Sequence, residues 1–146
     1  MPAKLNGLKI ERKFTESGKD PFQKLSWTKR DVEIRNFDGT VAFSMKDVNL
    51  PDNYSQVAAN VLSQKYLRKA GIPKKLRKVK EKGVPIWLQK SVPDHKAMEN
   101  LSEDEKYGEE VDGKQTFRRL AGTWTYWGWK HGYFATEDDA RAYFDE

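Results

Sequence analysis

The sequence contains no cysteine, and this absence removes several classes of function at once. Without thiols, the 146 residues cannot form a disulfide, a thiolate metal site or a cysteine redox centre. His95 and His131 are the two histidines, and a lone histidine is more often a surface or packing residue than a ligand. No apolar run approaches the ~20 residues that span a membrane, and the N-terminus lacks a signal-peptide core. We therefore expect a cytoplasmic protein without a membrane partner.

The composition indicates a folded but strongly hydrated chain. Only 37% of the residues are hydrophobic and 34% are charged, whereas 12% are aromatic. The length suits a single domain over residues 1–146, with a mainly β part at 1–50 and a mainly α part at 51–146. The formal net charge of +5 is compatible with nucleotide, nucleic-acid or acidic-protein partners.

The first fifty residues predict extended structure. Residues 8–14 alternate apolar and charged side chains, as a half-buried strand does. Residues 31–35 and 40–45 flank an Asp38-Gly39 step. Such a step between two alternating segments is a strong hairpin signal, because glycine accepts the positive φ that the turn needs. We therefore predict an antiparallel hairpin here.

Helical periodicity begins after the hairpin. Apolar residues recur at helical spacing over residues 53–70 and form one stripe. Asn53 or Ser55 can cap the start of this helix, and Gly71 followed by Pro73 ends it.

The remaining helices are predicted from local signals. A short helix over 73–79 and a single turn over 85–88 precede an acidic stretch, 94–113, which we interpret as a mobile connection. A long helix follows over 114–130. The hydroxyl of Thr136 can accept from an amide three residues later, so a last helix begins there. The predicted fold class is α+β, with an N-terminal antiparallel β-hairpin region followed by a small helical bundle.

Eight positive charges lie within fifteen residues in the middle of the chain. Such side chains can contact the phosphates of a nucleotide or a nucleic acid. The alternative is a solvated basic face balanced by the acidic stretch, which is the commoner role of a charge run. The candidate phosphate or acidic-partner patch, called the basic patch below, comprises Arg68, Lys69, Lys74, Lys75, Arg77 and Lys78.

Residues 114–134 contain three of the five tryptophans and two of the six tyrosines. One side of the predicted helix carries Phe117, Leu120, Ala121, Trp124, Trp127 and Gly128, which favours core or interface packing. Tyr126 and Trp129 lie off that side and are better candidates for contact with a partner. A platform for stacked bases is the alternative. The candidate partner-docking residues are Trp124, Tyr126, Trp127, Trp129, Tyr133, Tyr143 and Phe144.

Catalytic motifs are not recognised in the sequence. We find no Ser-His-Asp set, no HExxH motif and no glycine-rich phosphate loop. Carboxylates are plentiful, but none has a partner of defined chemistry. The residues themselves therefore do not indicate an enzyme.

Several segments, in order, resemble the adenosylcobalamin-dependent (class II) ribonucleotide reductases. GTWTYWGWKHGYF at 122–134 is similar to a helix that closes the N-terminal region of those much longer enzymes. IERKFT at 10–15, QKYLRKAGIP at 64–73 and EDDARA at 137–142 are similar to further family segments. The resemblance extends over essentially residues 8–146.

The resemblance implies a function for the complete enzyme, which would reduce ribonucleotides to deoxyribonucleotides. Adenosylcobalamin would generate a thiyl radical on a cysteine of a ten-stranded α/β barrel, and a cysteine pair would supply electrons. Because this chain has no cysteine, it would be an N-terminal part that supports a separate or missing barrel. We expect that barrel chain as its partner, nucleotides bound through the barrel, and adenosylcobalamin in the complete enzyme but not on this chain alone.

Two questions stay open at this point, namely how the chain arose and whether it has a different function. The chain could be a deliberately shortened product, one subunit of a split gene or a truncated product. It could also be a free-standing basic nucleic-acid-binding module, whose binding should fall steeply with added salt.

Overall fold

A computed structural model describes residues 6–146. The chain divides into two compact units. The first unit comprises the described part of Met1–Gln23 together with Arg77–Val92 and Arg119–Glu146, and the second comprises Lys24–Leu76 and Pro93–Arg118. Within residues 6–146, no helix combines the length and the apolar character needed to cross a bilayer.

The predicted hairpin is confirmed and is longer than expected. Strand β1 (Trp27–Arg35) pairs antiparallel with strand β2 (Val41–Pro51). Val32 lies opposite Met45, so the two side chains point to the same side of the hairpin. Both are buried, which makes this side the inner one. The turn closes through Gly39, whose φ of 85° lies in the left-handed region that favours glycine.

The second unit is built around an aliphatic core. Val32, Met45, Val48, Leu50, Ala59, Leu62 and Leu67 form one buried cluster, and Phe43, Tyr54 and Phe117 pack against it. Burial of each such side chain removes apolar surface from water, which is the main favourable term in folding.

The helix predicted over 53–70 is shorter than expected. Helix α1 (Gln56–Val61) begins after Ser55, whose hydroxyl accepts from the Ala58 amide at 3.1 Å, and it continues as a π-helical turn, Leu62–Tyr66. The predicted apolar stripe is partly wrong, because Val57 is 72% exposed. Leu67 follows the last turn with extended backbone, and beyond it the Lys69 ammonium group donates to the backbone carbonyl groups of Ser63 and Leu67.

The helix predicted over 73–79 is wrong. Strand β3 (Ile72–Pro73) pairs with strand β6 (Tyr107–Gly108), and strand β4 (Leu76–Lys78) pairs with strand β5 (Ser91–Pro93). Pairing with distant strands overrides the local sequence preference here. The single turn predicted at 85–88 is confirmed as a 3₁₀ turn, Ile86–Leu88.

The strand predicted over 8–14 is also wrong. Within that segment, Leu8 makes one isolated bridge to Phe134, and the rest is irregular. A further 3₁₀ turn follows at Pro21–Lys24.

The acidic stretch 94–113 contains regular structure. Helix α2 (Glu103–Lys106) begins with a capping box between Ser102 and Glu105, and β6 follows directly. Met98 in the same stretch is fully buried. The mobility of this stretch stays a prediction.

The last two helices are confirmed. Helix α3 spans Gly113–Lys130, and helix α4 spans Glu137–Asp145. Thr136 caps α4 as predicted, since its hydroxyl accepts from the Asp139 amide at 3.1 Å. The fold class is α+β, with an antiparallel hairpin followed by helices.

Candidate functional site

The most exposed large rings of α3 are Trp124 and Trp127. Trp124 is 51% exposed and Trp127 is 57% exposed. Residues three apart on a helix are neighbours on its surface, so the two rings share one face. Of the two predicted roles of this side, core or interface packing, the exposure of both rings does not support core packing, and interface packing stays a prediction.

Small residues form the buried side of α3 within the first unit. Thr125 is fully buried, and its hydroxyl donates to the Ala121 carbonyl at 2.7 Å. Gly128 is also buried, and a Cβ atom added there would lie 2.7 Å from Cε2 of Phe134. The Phe134 ring therefore occupies the space that a side chain at position 128 would need. Close packing at small residues, rather than ring hydrophobicity, decides which side of the helix faces inward.

Tyr126 and Trp129 are bound within the same unit through their polar atoms. The Tyr126 hydroxyl donates to Oε2 of Glu81 at 2.7 Å, and Nε1 of Trp129 donates to the Gly83 carbonyl at 2.6 Å. The Lys130 ammonium group contacts Oε1 of Glu81 at 2.5 Å. Their predicted role as docking residues stays a prediction.

These contacts shift the pKa values of three groups. The hydrogen bond from Lys130, which has the larger effect, and the hydrogen bond from Tyr126 both lower the pKa of Glu81. The same carboxylate raises the pKa of the Tyr126 phenol and of the Lys130 ammonium group by accepting their hydrogen bonds. All three groups therefore keep their neutral-pH charge states, and the contact fixes the end of α3 on the Glu81 segment.

Two further exposed rings follow α3. Tyr133 is 59% exposed, and its amide is fixed to the last helical turn by donation to the Gly128 carbonyl at 2.9 Å. Tyr143 on α4 is 41% exposed and packs on Phe134, with 5.3 Å between the ring centroids. We call the four exposed rings Trp124, Trp127, Tyr133 and Tyr143 the aromatic face.

Phe144, the remaining predicted docking residue, is half-buried. Its ring lies 5.7 Å from the Trp87 ring, and the Arg141 guanidinium group lies over both rings. Trp87 in turn donates from Nε1 to Glu137 at 2.9 Å. Phe144 therefore packs inside the first unit in this structure.

An N-terminal segment that sequence reasoning missed holds α4 in place. We call residues 8–15 the strap, because the segment runs beside α4 and is bonded to it. The amide of Ile10 donates to Oδ1 of Asp139 at 2.8 Å, and Arg12 forms an ion pair with Asp145 at 2.9 Å. The hydroxyl and amide of Thr15 both donate to Glu146, which lowers the pKa of that carboxyl to about 2.

The six members of the basic patch do not all fall in one unit. Arg68, Lys69, Lys74 and Lys75 belong to the second unit, and Arg77 and Lys78 belong to the first. The Lys78 ammonium group donates to the carbonyl groups of Trp87 and Gln89. Partial burial lowers the pKa of Lys69, whose ammonium group also donates to backbone carbonyl groups. The phosphate-binding role of the patch stays a prediction.

An open pocket of about 620 Å³ lies in the second unit. Its lining mixes both charges and comprises Lys69, Ala70, Gly71, Lys74, Glu103, Asp104, Tyr107, Gly108, Glu109 and Val111. Ligand sites are usually enclosed and mostly apolar, with a few placed polar groups. The lining of this pocket does not have that character.

The expectation that the chain lacks phosphate-loop spacing is wrong. Gly108, Gly113 and Lys114 have the G-x-x-x-x-G-K spacing of such a loop, between a short strand and the start of α3, although Gln115 stands where serine or threonine is usual. A phosphate loop presents backbone amides to the ligand, but four amides here are already bonded. They belong to Glu110, Val111, Asp112 and Lys114, and their acceptors are the Arg68 carbonyl, Gln115 and Asp112. These four amides are therefore not available to bind a phosphate group.

Within residues 6–146, no group of three or more metal-ligating side chains could hold an ion. The clearest surface feature of the described residues is this set of exposed rings, and exposed apolar patches often mark interaction sites.

Comparison with known proteins gives the family. The sequence model of the class II vitamin B12-dependent ribonucleotide reductases matches residues 28–146. Over 139 residues the chain is 52% identical to the vitamin B12-dependent ribonucleotide reductase of Agrobacterium fabrum and 49% identical to that of Bradyrhizobium diazoefficiens. Each match covers 95% of this chain but 11% of the relative.

A third relative, the vitamin B12-dependent ribonucleotide reductase of Rhodopirellula baltica, is 28% identical over 139 residues. The chain thus belongs to the class II vitamin B12-dependent ribonucleotide reductase family and corresponds to its N-terminal domain.

Proposed function

We propose that this chain serves as the N-terminal domain of an adenosylcobalamin-dependent ribonucleotide reductase and docks on the part of that enzyme that lies outside residues 1–146. We call that remainder the catalytic part. It would convert ribonucleotides to deoxyribonucleotides for DNA synthesis. The chain itself has no thiol with which to carry a radical or supply reducing electrons, so both steps fall to the catalytic part.

The aromatic face is the observation that carries this proposal. Four rings on one unit are between 41% and 59% exposed. A buried ring contributes about 150–250 Å², so half-exposed rings of this number offer roughly 400 Å² of apolar surface. Taken together, that is about half of what one partner contributes to a standard protein interface, and it equals the area of the largest apolar patches on typical monomers, which are often functional.

The catalytic part is the partner that best fits this face. The relatives in the family carry most of their sequence outside the region matched by this chain, which spans 11% of their length. In a polypeptide that extends well beyond this domain, the exposed rings can be buried against the rest of the same polypeptide, so that no second protein is needed. Aromatic residues are also enriched in the core of protein interfaces, where charged residues are depleted.

We assign the cofactor to the catalytic part. Adenosylcobalamin supplies the radical chemistry when it is bound to the complete enzyme. The pocket described in the second unit is lined by five charged side chains, Lys69, Lys74, Glu103, Asp104 and Glu109. This charged lining does not suit the largely apolar corrin ring, and the open shape of the pocket would not exclude water from it. The residues of this chain would act by binding and orienting the catalytic part.

Reconstitution tests the proposal. The chain is mixed with the catalytic polypeptide, adenosylcobalamin, a ribonucleotide and a dithiol, and deoxyribonucleotide formation is measured with and without residues 1–146. The double variant Trp124→Ala/Trp127→Ala should weaken association by about 1,000-fold, since buried aromatic anchors each contribute about 2 kcal/mol at hot spots, which is about 30-fold for each ring. Ile86→Ala is the matched control, because Ile86 is 79% exposed in the same unit but lies outside the aromatic face.

Two results would count against the proposal. One is no measurable association between the wild-type chain and the catalytic polypeptide. The other is equal loss of association in the control and in the double variant, since the rings would then have no specific role. Salt-sensitive binding of nucleic acid by a chain that ignores the catalytic polypeptide would favour the basic patch instead.

A further inference from the structure

Phe37 at the tip of the β1–β2 hairpin has no role in the fold of its own unit. Its relative exposure is 115%, so the ring projects fully into solvent. A single exposed apolar side chain is common on protein surfaces and needs no explanation by itself. The turn that carries Phe37 is the second, independent observation.

The turn is fixed by five hydrogen bonds within residues 36–40. Oδ1 of Asp38 accepts from the amide of Thr40 at 2.9 Å and from its hydroxyl at 2.6 Å. The amide of Asn36 donates to the Thr40 carbonyl at 2.8 Å, and the amide of Gly39 donates to the Asn36 carbonyl at 3.0 Å. Asn36 also donates from Nδ2 to the Thr40 hydroxyl at 3.0 Å.

The base of the turn is fixed as well. The Arg35 guanidinium group donates to the Gly39 carbonyl at 2.8 Å and to Oε1 of Glu33 at 2.6 Å. The charge of Arg35 is therefore balanced by Glu33 on the same strand. The ring of Phe37 is presented on a rigid support whose nearest charges are already engaged.

A rigid, exposed aromatic side chain has the physical properties of an interface anchor. Ordering a loop on binding costs free energy, and a loop that is ordered before binding avoids that cost. Anchors of this kind are typically aromatic, fill a desolvated pocket on the partner and are surrounded by polar contacts. The engaged polar groups around Phe37 would form such a rim.

We propose that Phe37 is an anchor that inserts into an apolar pocket on the catalytic part of the reductase. The inference rests on the proposed function, which supplies the partner: the relatives extend far beyond the region that this chain matches. It adds a contact in the second unit to the aromatic face, which lies in the first. The pocket that receives Phe37 is lined by aliphatic or aromatic side chains and carries no net charge.

Titration of the catalytic polypeptide with three forms of the chain tests the anchor. Phe37→Ala should lower the affinity about 30-fold, the effect of removing one hot-spot aromatic side chain. Phe14→Ala is the matched control, because it makes the same substitution at a ring that is 78% exposed but lies on an irregular segment. It should change the affinity by less than about twofold, as energetically neutral positions do.

A second variant tests the rigidity of the turn. Asp38→Ala keeps the ring but removes the acceptor for both Thr40 groups. We expect an affinity loss smaller than that of Phe37→Ala, about fivefold, because the turn must then be ordered on binding. Circular dichroism should show both variants folded, since neither side chain is buried.

Hydrogen exchange of residues 36–40 provides an independent readout in the intact enzyme. Exchange in this turn should be slower in the complete reductase polypeptide than in residues 1–146 alone, and Phe37→Ala should restore fast exchange.

The outcomes separate the two proposals. Wild-type chain that fails to bind the catalytic polypeptide overturns the proposed function. Wild-type binding that Phe37→Ala leaves unchanged, or that Phe14→Ala weakens equally, overturns the anchor while the proposed function stands. A dimer of the 146-residue chain that Phe37→Ala dissociates would also overturn it, because the occupant would then be a second copy.

Discussion

Each of the two units of this domain is stabilised internally by a different kind of contact. The second unit has a cluster of seven buried hydrophobic side chains around the hairpin and α1. In the described part of the first unit, the buried hydrophobic side chains are few and mostly small: Val84, Leu88, Ala140 and Ala142. Side-chain hydrogen bonds take a larger share there, from the strap to α4 and from the Glu81 segment to α3.

This difference has an energetic meaning. Apolar burial contributes about 1.5–3 kcal/mol for each large side chain, whereas a net hydrogen bond contributes about 0.5–1.5 kcal/mol. A unit that depends on polar contacts and leaves four rings exposed has less internal stabilisation in reserve. We expect the first unit to gain more than the second when a partner covers it.

Removal of a core side chain from the second unit should have the largest effect. Leu50 is fully buried in the aliphatic cluster, so Leu50→Ala should lower the free energy of unfolding by about 3 kcal/mol through lost burial and a residual cavity. Urea unfolding monitored by circular dichroism measures this. Val57→Ala is the control, because Val57 is 72% exposed and should change stability by less than about 0.5 kcal/mol. Similar losses in the two variants would mean that the cluster is not the main stabilising element.

A methyl group added where the strap meets the loop after α3 should have the next largest effect. A Cβ atom at Gly7 would lie 2.3 Å from the carbonyl carbon of Phe134, and backbone cannot yield as a flexible side chain can. Gly7→Ala should therefore cost roughly 1–3 kcal/mol and release the strap. Faster hydrogen exchange at Leu8 and Ile10 measures the release. Asn6→Ala, at an exposed neighbour, should leave exchange unchanged; unchanged exchange in Gly7→Ala would refute the close contact.

Loss of one polar contact to α3 should have a smaller effect. Trp129→Phe removes the indole donor to the Gly83 carbonyl and should cost about 1 kcal/mol, the net value of one hydrogen bond. Trp127→Phe makes the same change at a ring that is 57% exposed, and it should be nearly neutral. Thermal unfolding of both variants measures the difference. Equal melting temperatures would show that the bond to Gly83 contributes nothing.

Acid should weaken the strap locally, and this is the smallest expected effect. Hydrogen bonds from Thr15 lower the pKa of Glu146 from its usual 4.5 to about 2, so the folded form binds its proton less readily than the unfolded form. The contribution of Glu146 is therefore complete above pH 4.5 and is lost as the pH falls toward 2. The protection factors of the Phe14 and Thr15 amides, which compare measured exchange with the intrinsic rate at each pH, should fall over that range in the wild type. Glu146→Gln should remove the pH dependence, and a persisting dependence would assign the effect to another group.

Local sequence signals account for much of this fold. The hairpin at Asp38-Gly39, the cap at Thr136 and the extent of α3 all depend on a few neighbouring residues, and each was predictable. The strap was not, because its partners are distant in sequence: the bond from Ile10 to Asp139 spans 129 positions. Alternation over residues 8–14 therefore predicted a strand for which no neighbouring strand exists in the described structure.

The inward side of α3 was unpredictable for a different reason. Hydrophobicity favours Trp124 and Trp127 as buried residues, but the helix packs through Thr125 and Gly128 because the Phe134 ring needs the space at position 128. A fit of this kind depends on which ring approaches the helix, and one sequence does not reveal that. The exposed rings could be proposed as docking residues from the sequence, but their orientation required the structure.

The order in which the segments are synthesised gives the division into units a further consequence. Every segment of the second unit has been translated once residue 118 is made, whereas the first unit combines the opening residues with a middle segment and the stretch after Arg118. Contacts between distant segments also form more slowly, because a long loop must close before they are made. We therefore expect the second unit to fold first on the ribosome. The strap can form its contacts with α4 only after α4 has been synthesised.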